Sequence, residues 1–425
     1  MIWLIVLLFI LILIGAPIAF SLGFVSIFGI LLSDPNLLIN VPRKLFSGID
    51  NFTLVAVPLF ILAGEIMTKG GISKRLIDFS KTLVGPLPGG LAMVVILASM
   101  FFSALTGTAI AAAAAIGGMM IPAMNKEGYD VRFSASIVAS ASTIGPIIPP
   151  SIVLILYGVI ASVSIGDLFI AGVIPGILMG LGLMIYSFFV GKKMNYRSSD
   201  RMATFKEIAI GAKDAILALI MPIIIIGGIV SGVFTATESG VIAVVYAIII
   251  GMFVYKEITI KDFWPILLDT AKTTATIIFL IGSASLFIWF LSYNSIPNQI
   301  IAMMGSVADN PIMLLLIINI ILLIAGTFID TISAVSIFTP LFLPLVLAAG
   351  VDPIHFGIIL AVNLTIGMVT PPLGVCLFVT SSIAKITVPR MFKFLVPQIA
   401  VLIAVLLAIT YIPDIVLFPV ELFVE

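Results

Sequence analysis

A single carboxylate stands in the middle of a long apolar run. It is Asp330, in Gly326-Thr-Phe-Ile-Asp-Thr-Ile-Ser333. Burying an ionised carboxylate is costly unless a cation, a donor or water meets it, so an acid here has a partner or a function. Two readings stay compatible: Asp330 caps a half-helix through backbone amides, or it belongs to an ion or substrate site. Gly326, Thr327, Thr331 and Ser333 surround it. A second polar island, Ser103-Ala-Leu-Thr-Gly-Thr108, interrupts another apolar run, and Thr108 is the counterpart of Asp330. Two further interruptions end in Pro-Pro. The first is Ala141–Pro150, with Ser142, Thr143 and Gly145; the second is Asn363–Pro372, with Thr365, Gly367 and Thr370. Hydroxyls and unwound carbonyls are hard oxygen ligands of the kind Na⁺ accepts, and half-helix amino termini favour an anion. The chemistry predicted is binding of about two Na⁺ ions and one organic anion.

These islands are two copies of one pattern. Shifted by 222 positions, Ser103–Ser151 falls on Ala325–Leu373 without a gap, aligning Gly145 with Gly367, Pro149-Pro150 with Pro371-Pro372, and Asp130 with Asp352. Proline removes an amide donor and clashes with the preceding turn. Lipid does not tolerate unpaired backbone, so the breaks must line a protein-enclosed cavity. Matching breaks in two halves point to a transporter's binding site.

The chain that positions them has 425 residues, 62% hydrophobic and 9% charged, with 20 basic and 20 acidic side chains. Runs of about 20 apolar residues mark a polytopic membrane protein, and no nucleic-acid partner is expected. The predicted fold is all-α. Its spans are Met1–Leu32 bent at Gly15-Ala-Pro17, Phe52–Thr68, Leu168–Gly191, Asp214–Val233, Glu238–Tyr255, Thr274–Tyr293 and Phe394–Phe418. Leu87–Met124 and Pro311–Pro344 read as re-entrant hairpins, Phe133–Ser162 and Pro353–Val379 as discontinuous helices, and basic Lys69–Lys81 as a helix along the lipid surface. Five crossings separate the copies, so they are inverted. This layout places 18 of the 20 Lys and Arg on one side, leaving only Arg43 and Lys44 opposite. That asymmetry predicts a cytoplasmic amino terminus and a periplasmic carboxy terminus. The division expected is scaffold over 1–82 and 194–303, and transport domain over 83–193 and 304–425. Glu65 and Glu238 read as span-end residues, and His355, the only histidine, as solvated.

One histidine cannot build a His-Glu-x-x-His site, and Asp330 has no intramembrane aspartate mate, so an intramembrane protease is excluded. Cys376 stands alone, which excludes an internal disulfide.

The whole length resembles the large membrane subunit of tripartite ATP-independent periplasmic (TRAP) transporters. The resemblance runs through Gly15-Ala-Pro-Ile-Ala-Phe20, Val57-Pro-Leu-Phe-Ile-Leu-Ala-Gly-Glu-Ile66, the Ser103 hairpin, Gly145-Pro-Ile-Ile-Pro-Pro-Ser151, Phe234-Thr-Ala-Thr-Glu-Ser-Gly240 and Thr365–Gly374. It implies a bacterial inner-membrane, Na⁺-driven elevator importing a small organic acid of the C4-dicarboxylate, keto-acid, sugar-acid or sialic-acid class. The partners implied are a small four-helix membrane subunit and a periplasmic substrate-binding protein. One cation site carries over to Ser103, Thr106, Ser142, Thr143, Gly145 and Ile148, the other to Gly326, Thr327, Thr365, Gly367, Met368 and Thr370. The substrate contacts expected are Asp330, Thr108, Thr331, Pro150, Asn363 and Pro372. Members that handle sialic acid carry an arginine where this chain reads Tyr293-Asn-Ser-Ile-Pro297, which disfavours that substrate. The alternative is a stand-alone Na⁺- or H⁺-coupled dicarboxylate or citrate symporter of similar architecture.

Overall fold

Apolar sequence in lipid must satisfy its own backbone, and this chain does so with helices alone. The computed structural model describes residues 3–196, 204–299 and 310–424. Among the described residues there is no strand, and nine helices are long and apolar enough to cross a bilayer. Arg197, Arg201 and the expected domain boundary at 303/304 lie outside the described residues.

Both hairpins form where the polar islands stand. The first has arms Gly90–Thr106 and Ala109–Lys126. Gly107 turns the tip with φ +61°, a conformation that glycine adopts without steric penalty. The second has arms Pro311–Phe328 and Thr331–Ala348. Each discontinuous helix is likewise two pieces. Val131–Ser142 and Ile152–Ala161 flank the first break, and Pro353–Gly367 and Val375–Ala384 flank the second.

The repeat holds in detail. Asp130 and Asp352 each cap a helix, accepting from Arg132 N at 2.8 Å and Ile354 N at 2.8 Å. Gly128 and Gly350 turn just before them with φ +81° and +77°. Pro149-Pro150 and Pro371-Pro372 are both joined by cis bonds. The two copies interlock. Val375–Ala384 packs on Val131–Ser142 and on Ala109–Lys126, while Thr331–Ala348 packs on Ile152–Ala161.

A second group of helices surrounds this core. Ala56–Lys69 packs on Ala236–Ile248, and Ile18–Ser33 and Asn40–Ile49 pack on Ile260–Tyr293. The surface helix Ile72–Val84 buries Ile72, Leu76, Ile77 and Phe79 on one face. Arg75 fastens it to the distant stretch before Ile260–Tyr293: its guanidinium lies 3.7 Å from the Tyr255 ring centre and 2.9 Å from Glu257 Oε1.

Four expectations are corrected. Met1–Leu32 is not one bent helix. Trp3–Leu13 and Ile18–Ser33 double back at Gly15, placing the Trp3 and Phe28 rings 6.2 Å apart. Phe394–Phe418 is not one span, because the helix Val388–Tyr411 ends before Pro413 and a separate helix, Asp414–Val424, follows. The helix expected over Thr274–Tyr293 begins at Ile260, and Thr259 and Asp262 form a capping box at its start. His355 is 3% exposed, not solvated, and its Nε2 lies 2.8 Å from the Ile409 carbonyl oxygen.

Candidate functional site

Each hairpin tip seats on the break of its own copy, because glycine removes the side chain that would hold them apart. A Cβ on Gly145 would stand 3.0 Å from the Thr108 carbonyl oxygen, and one on Gly107 2.8 Å from the Pro150 carbonyl oxygen. In the other copy, a Cβ on Gly367 would stand 2.5 Å from Gly326 Cα. Both breaks begin by tightening to three-residue spacing. Gly145 N donates to Ser142 O at 3.0 Å, and Thr370 N to Gly367 O at 2.9 Å.

The hydroxyls at these junctions share one state. Ser142 donates to Ala139 O at 2.7 Å, Thr143 to Ser140 O at 2.7 Å, and Ser103 to Ser99 O. In the second copy Thr365 donates to Val362 O at 2.9 Å, Thr327 to Ile324 O at 2.8 Å, and Thr370 to Ile366 O at 2.8 Å. With its proton engaged by its own helix, each hydroxyl keeps only lone pairs to offer. Such neutral, acceptor-only oxygens fit an alkali cation. Among the described residues no group of three His, Cys, Asp or Glu could hold a transition metal.

A cavity of about 770 Å³ lies between the tips and the surrounding helices. Of the predicted residues, Thr106, Thr108, Asp330, Thr331 and Met368 line it. Ser103, Ser142, Thr143 and Thr365 are fully buried outside its wall. Gly145, Gly326 and Gly367 form the tip-on-break junctions without lining it, Thr327 O accepts from Gly374 N at 3.3 Å across the second, Thr370 stands in the second break outside the wall, and Ile148 packs where Gly176 leaves room. Asn363 is fully buried instead, donating to Asn319 Oδ1 at 2.7 Å and to Ile359 O at 2.9 Å. Pro150 is buried and Pro372 exposed, and neither lines the cavity.

Three helix amino termini open on this space: Ala109–Ala111, Ile152–Val153 and Thr331–Ile332. Each presents backbone N–H groups and the positive end of a helix dipole. They differ in how they are capped. Asp330 accepts from Ser333 N at 3.1 Å, and Ser151 accepts from Leu154 N at 3.1 Å. Thr108 holds the same cap position as Asp330 yet makes no capping bond, which leaves the amides after it without a side-chain acceptor. Asp330 therefore caps its half-helix and also lines the cavity.

Sequence reasoning missed the part of the wall that comes from the surrounding helices. Glu65, Thr68 and Thr273, from Ala56–Lys69 and Ile260–Tyr293, line the same cavity. Glu65 had read as a span-end residue. The available signal was Gly64 beside it, which lets the first hairpin approach so closely that a Cβ there would meet Leu105 O at 3.1 Å.

Known proteins share this sequence and fold. The family model described as the tripartite ATP-independent periplasmic transporter, DctM component, matches residues 5–415. The isethionate TRAP transporter permease protein DctMQ of Oleidesulfovibrio alaskensis is 42% identical over 405 residues; the match covers 95% of this chain and 64% of that protein. The C4-dicarboxylate TRAP transporter large permease protein DctM of Pseudomonas aeruginosa is 40% identical over 393 residues, covering 92% of each chain. Among solved structures, the Alcanivorax borkumensis YdaH transporter matches with a TM-score of 0.62 at 13% identity, over 89% of each chain. That likeness shows a shared fold.

Proposed function

Since the chain belongs to the DctM component family of tripartite ATP-independent periplasmic transporters, we propose that it is the Na⁺-coupled, elevator-type permease of such a system, importing a small organic acid. The observation that carries this reading is the cavity where three helix amino termini meet Asp330 between two acceptor-lined junctions. Anion binding follows from the helix ends. Na⁺ binding follows from the hydroxyl oxygens of Ser103, Ser142 and Thr143 on one side and Thr327, Thr365 and Thr370 on the other, with the break carbonyls beside them.

Coupling has a direct physical basis. Among the described residues, the cavity is lined by two carboxylates, Glu65 and Asp330, and by no Lys, Arg or His. An organic anion entering alone adds negative charge to a wall that is already negative. Two bound cations offset that charge, so substrate and Na⁺ stabilise each other's binding. The motion proposed carries the hairpins and discontinuous helices as one body past Ala56–Lys69 and Ile260–Tyr293. Their interlocked packing supports treating them as a unit.

The partners proposed are a small membrane subunit and a periplasmic binding protein. The relatives' names give two substrate chemistries, a hydroxylated sulfonate and a dicarboxylate, and either lies within the class. The charge asymmetry supports a cytoplasmic side for the basic loops and a periplasmic carboxy terminus. The doubling back of Trp3–Ser33 supports the opposite side for the amino terminus from the one the charge count suggested, beside Arg43 and Lys44.

Reconstitution tests this reading. Vesicles holding the chain and its small subunit, supplied with the binding protein, should accumulate substrate under an inward Na⁺ gradient and not under an equal K⁺ gradient. Equal uptake under both gradients removes Na⁺ coupling.

A further inference from the structure

The two sides of the central cavity differ in their hydrogen-bond donors. On the side of the hairpins and discontinuous helices, donors come from the amides after Thr108, Ser151 and Asp330, with the Asp330 carboxylate beside them. On the surrounding-helix side the polar groups only accept. Thr68 Oγ1 donates to Gly64 O at 2.7 Å and Thr273 Oγ1 to Asp269 O at 3.0 Å, so each faces the cavity with lone pairs. Glu65 is half-buried, lines the same cavity, and makes no hydrogen bond or ion pair among the described residues.

Resting on the reading of this cavity as an anion site, we propose that Glu65 determines specificity. The substrate it selects is an organic acid with one anionic head and a hydroxyl at its far end. The head is held by the helix amino termini. The far end then lies toward Glu65, Thr68 and Thr273, where a hydroxyl donates to an acceptor that has no other donor. A second carboxylate in that place offers no proton and sets like charges together in a space of low dielectric. A site built to accept from a hydroxyl discriminates strongly against an analogue that cannot donate. Glu65 stands on Ala56–Lys69, outside the hairpins and next to the close approach of Gly64 to the first tip.

The test uses the full chain in nanodiscs and two probes of equal carbon count, 4-hydroxybutanoate and succinate, above neutral pH where succinate is a dianion. Ligand-induced melting shifts are titrated at saturating NaCl and again in KCl. In the wild type, 4-hydroxybutanoate should half-saturate at a concentration about 10-fold or more below succinate. Glu65→Gln, which keeps the shape and removes the charge, should bring the two within about 2-fold, and Glu65→Asp should restore most of the preference. The melting temperature without substrate or Na⁺ should not move, because Glu65 makes no hydrogen bond or ion pair among the described residues, and this separates a contact with substrate from a general loss of packing. Succinate binding as tightly as 4-hydroxybutanoate, or an unchanged ratio in Glu65→Gln, overturns the assignment to Glu65 and leaves the anion site standing. No Na⁺-dependent shift with either probe overturns the anion site itself, and this inference with it.

Discussion

Gly367 and Gly326 meet backbone to backbone, so closely that a Cβ on Gly367 would lie 2.4 Å from the Gly326 carbonyl carbon. No side chain fits there. The second hairpin rests on the second break only because both residues are glycine. Alanine at 367 must push the tip away, and overpacking of this kind costs about 1–3 kcal/mol. Gly367→Ala should therefore raise the Na⁺ concentration for half-maximal uptake by roughly 10-fold, the equivalent of about 1.4 kcal/mol. Gly118→Ala is the control, because nothing lies within 4 Å of a Cβ there. Uptake assays across a NaCl series check both, and equal behaviour of the two variants contradicts the junction's role.

Asp330 combines a cap and a charge, and substitution separates them. Asparagine caps about as well as aspartate, whereas alanine in place of either costs about 1 kcal/mol. Asp330→Asn should keep the wild-type melting temperature and lose transport. Asp330→Ala should lose transport and melt earlier. Wild-type uptake by Asp330→Asn would leave the residue with the capping role alone.

The buried hydroxyls of Ser142 and Thr365 already donate to their own helices, so replacing them removes an acceptor from the junction. Thr365→Val keeps the shape of the side chain, and Ser142→Ala removes one atom. Each should weaken Na⁺-induced stabilisation several-fold while shifting the Na⁺-free melting point little, since a hydrogen bond back to its own helix contributes only about 1 kcal/mol net. Melting curves in NaCl and KCl read this directly. Unaltered Na⁺ stabilisation in both variants contradicts the cation sites.

The legible parts of this fold were those where polar residues interrupt lipid-compatible sequence. Gly107, Asp330 and the two Pro-Pro pairs stand out because an apolar helix has no other reason to hold them, and the repeat then orders them in space. The doubling back at Gly15 was not legible, because Trp3–Leu13 and Ile18–Ser33 are apolar on every face and Gly15-Ala-Pro17 suits a kink as well as a reversal. The early start of Ile260–Tyr293 was hidden by Lys261, Asp262, Asp269 and Lys272, which read as a loop when lipid is the assumed surroundings. Burial of His355 was hidden because Asp352 caps its helix, and a capped helix start in sequence resembles a solvated one. Glu65 was hidden in the same way: position along a span says how deep an acid sits, and only packing says which face it turns to the cavity.

The reversal at Gly15 has a topological consequence. Single cysteines replacing Trp3 and Asp34 should react from the same side of the membrane with an impermeant maleimide. Cys376 is fully buried and should remain silent. Labelling of the two positions from opposite sides would restore a single crossing.

Movement of the hairpins past the surrounding helices is the central claim, and one cross-link addresses it. A Cβ on Gly64 would lie 3.8 Å from Thr106 Cβ, within the usual disulfide separation of about 3.5–4.5 Å. The measurement is Na⁺-driven uptake by the Gly64→Cys, Thr106→Cys double variant before oxidation, after oxidation and after reduction, with cross-linking followed by mass spectrometry. The account predicts uptake in the reduced protein, arrest when the bond forms and recovery when it is broken. Undiminished uptake by fully cross-linked protein would contradict it.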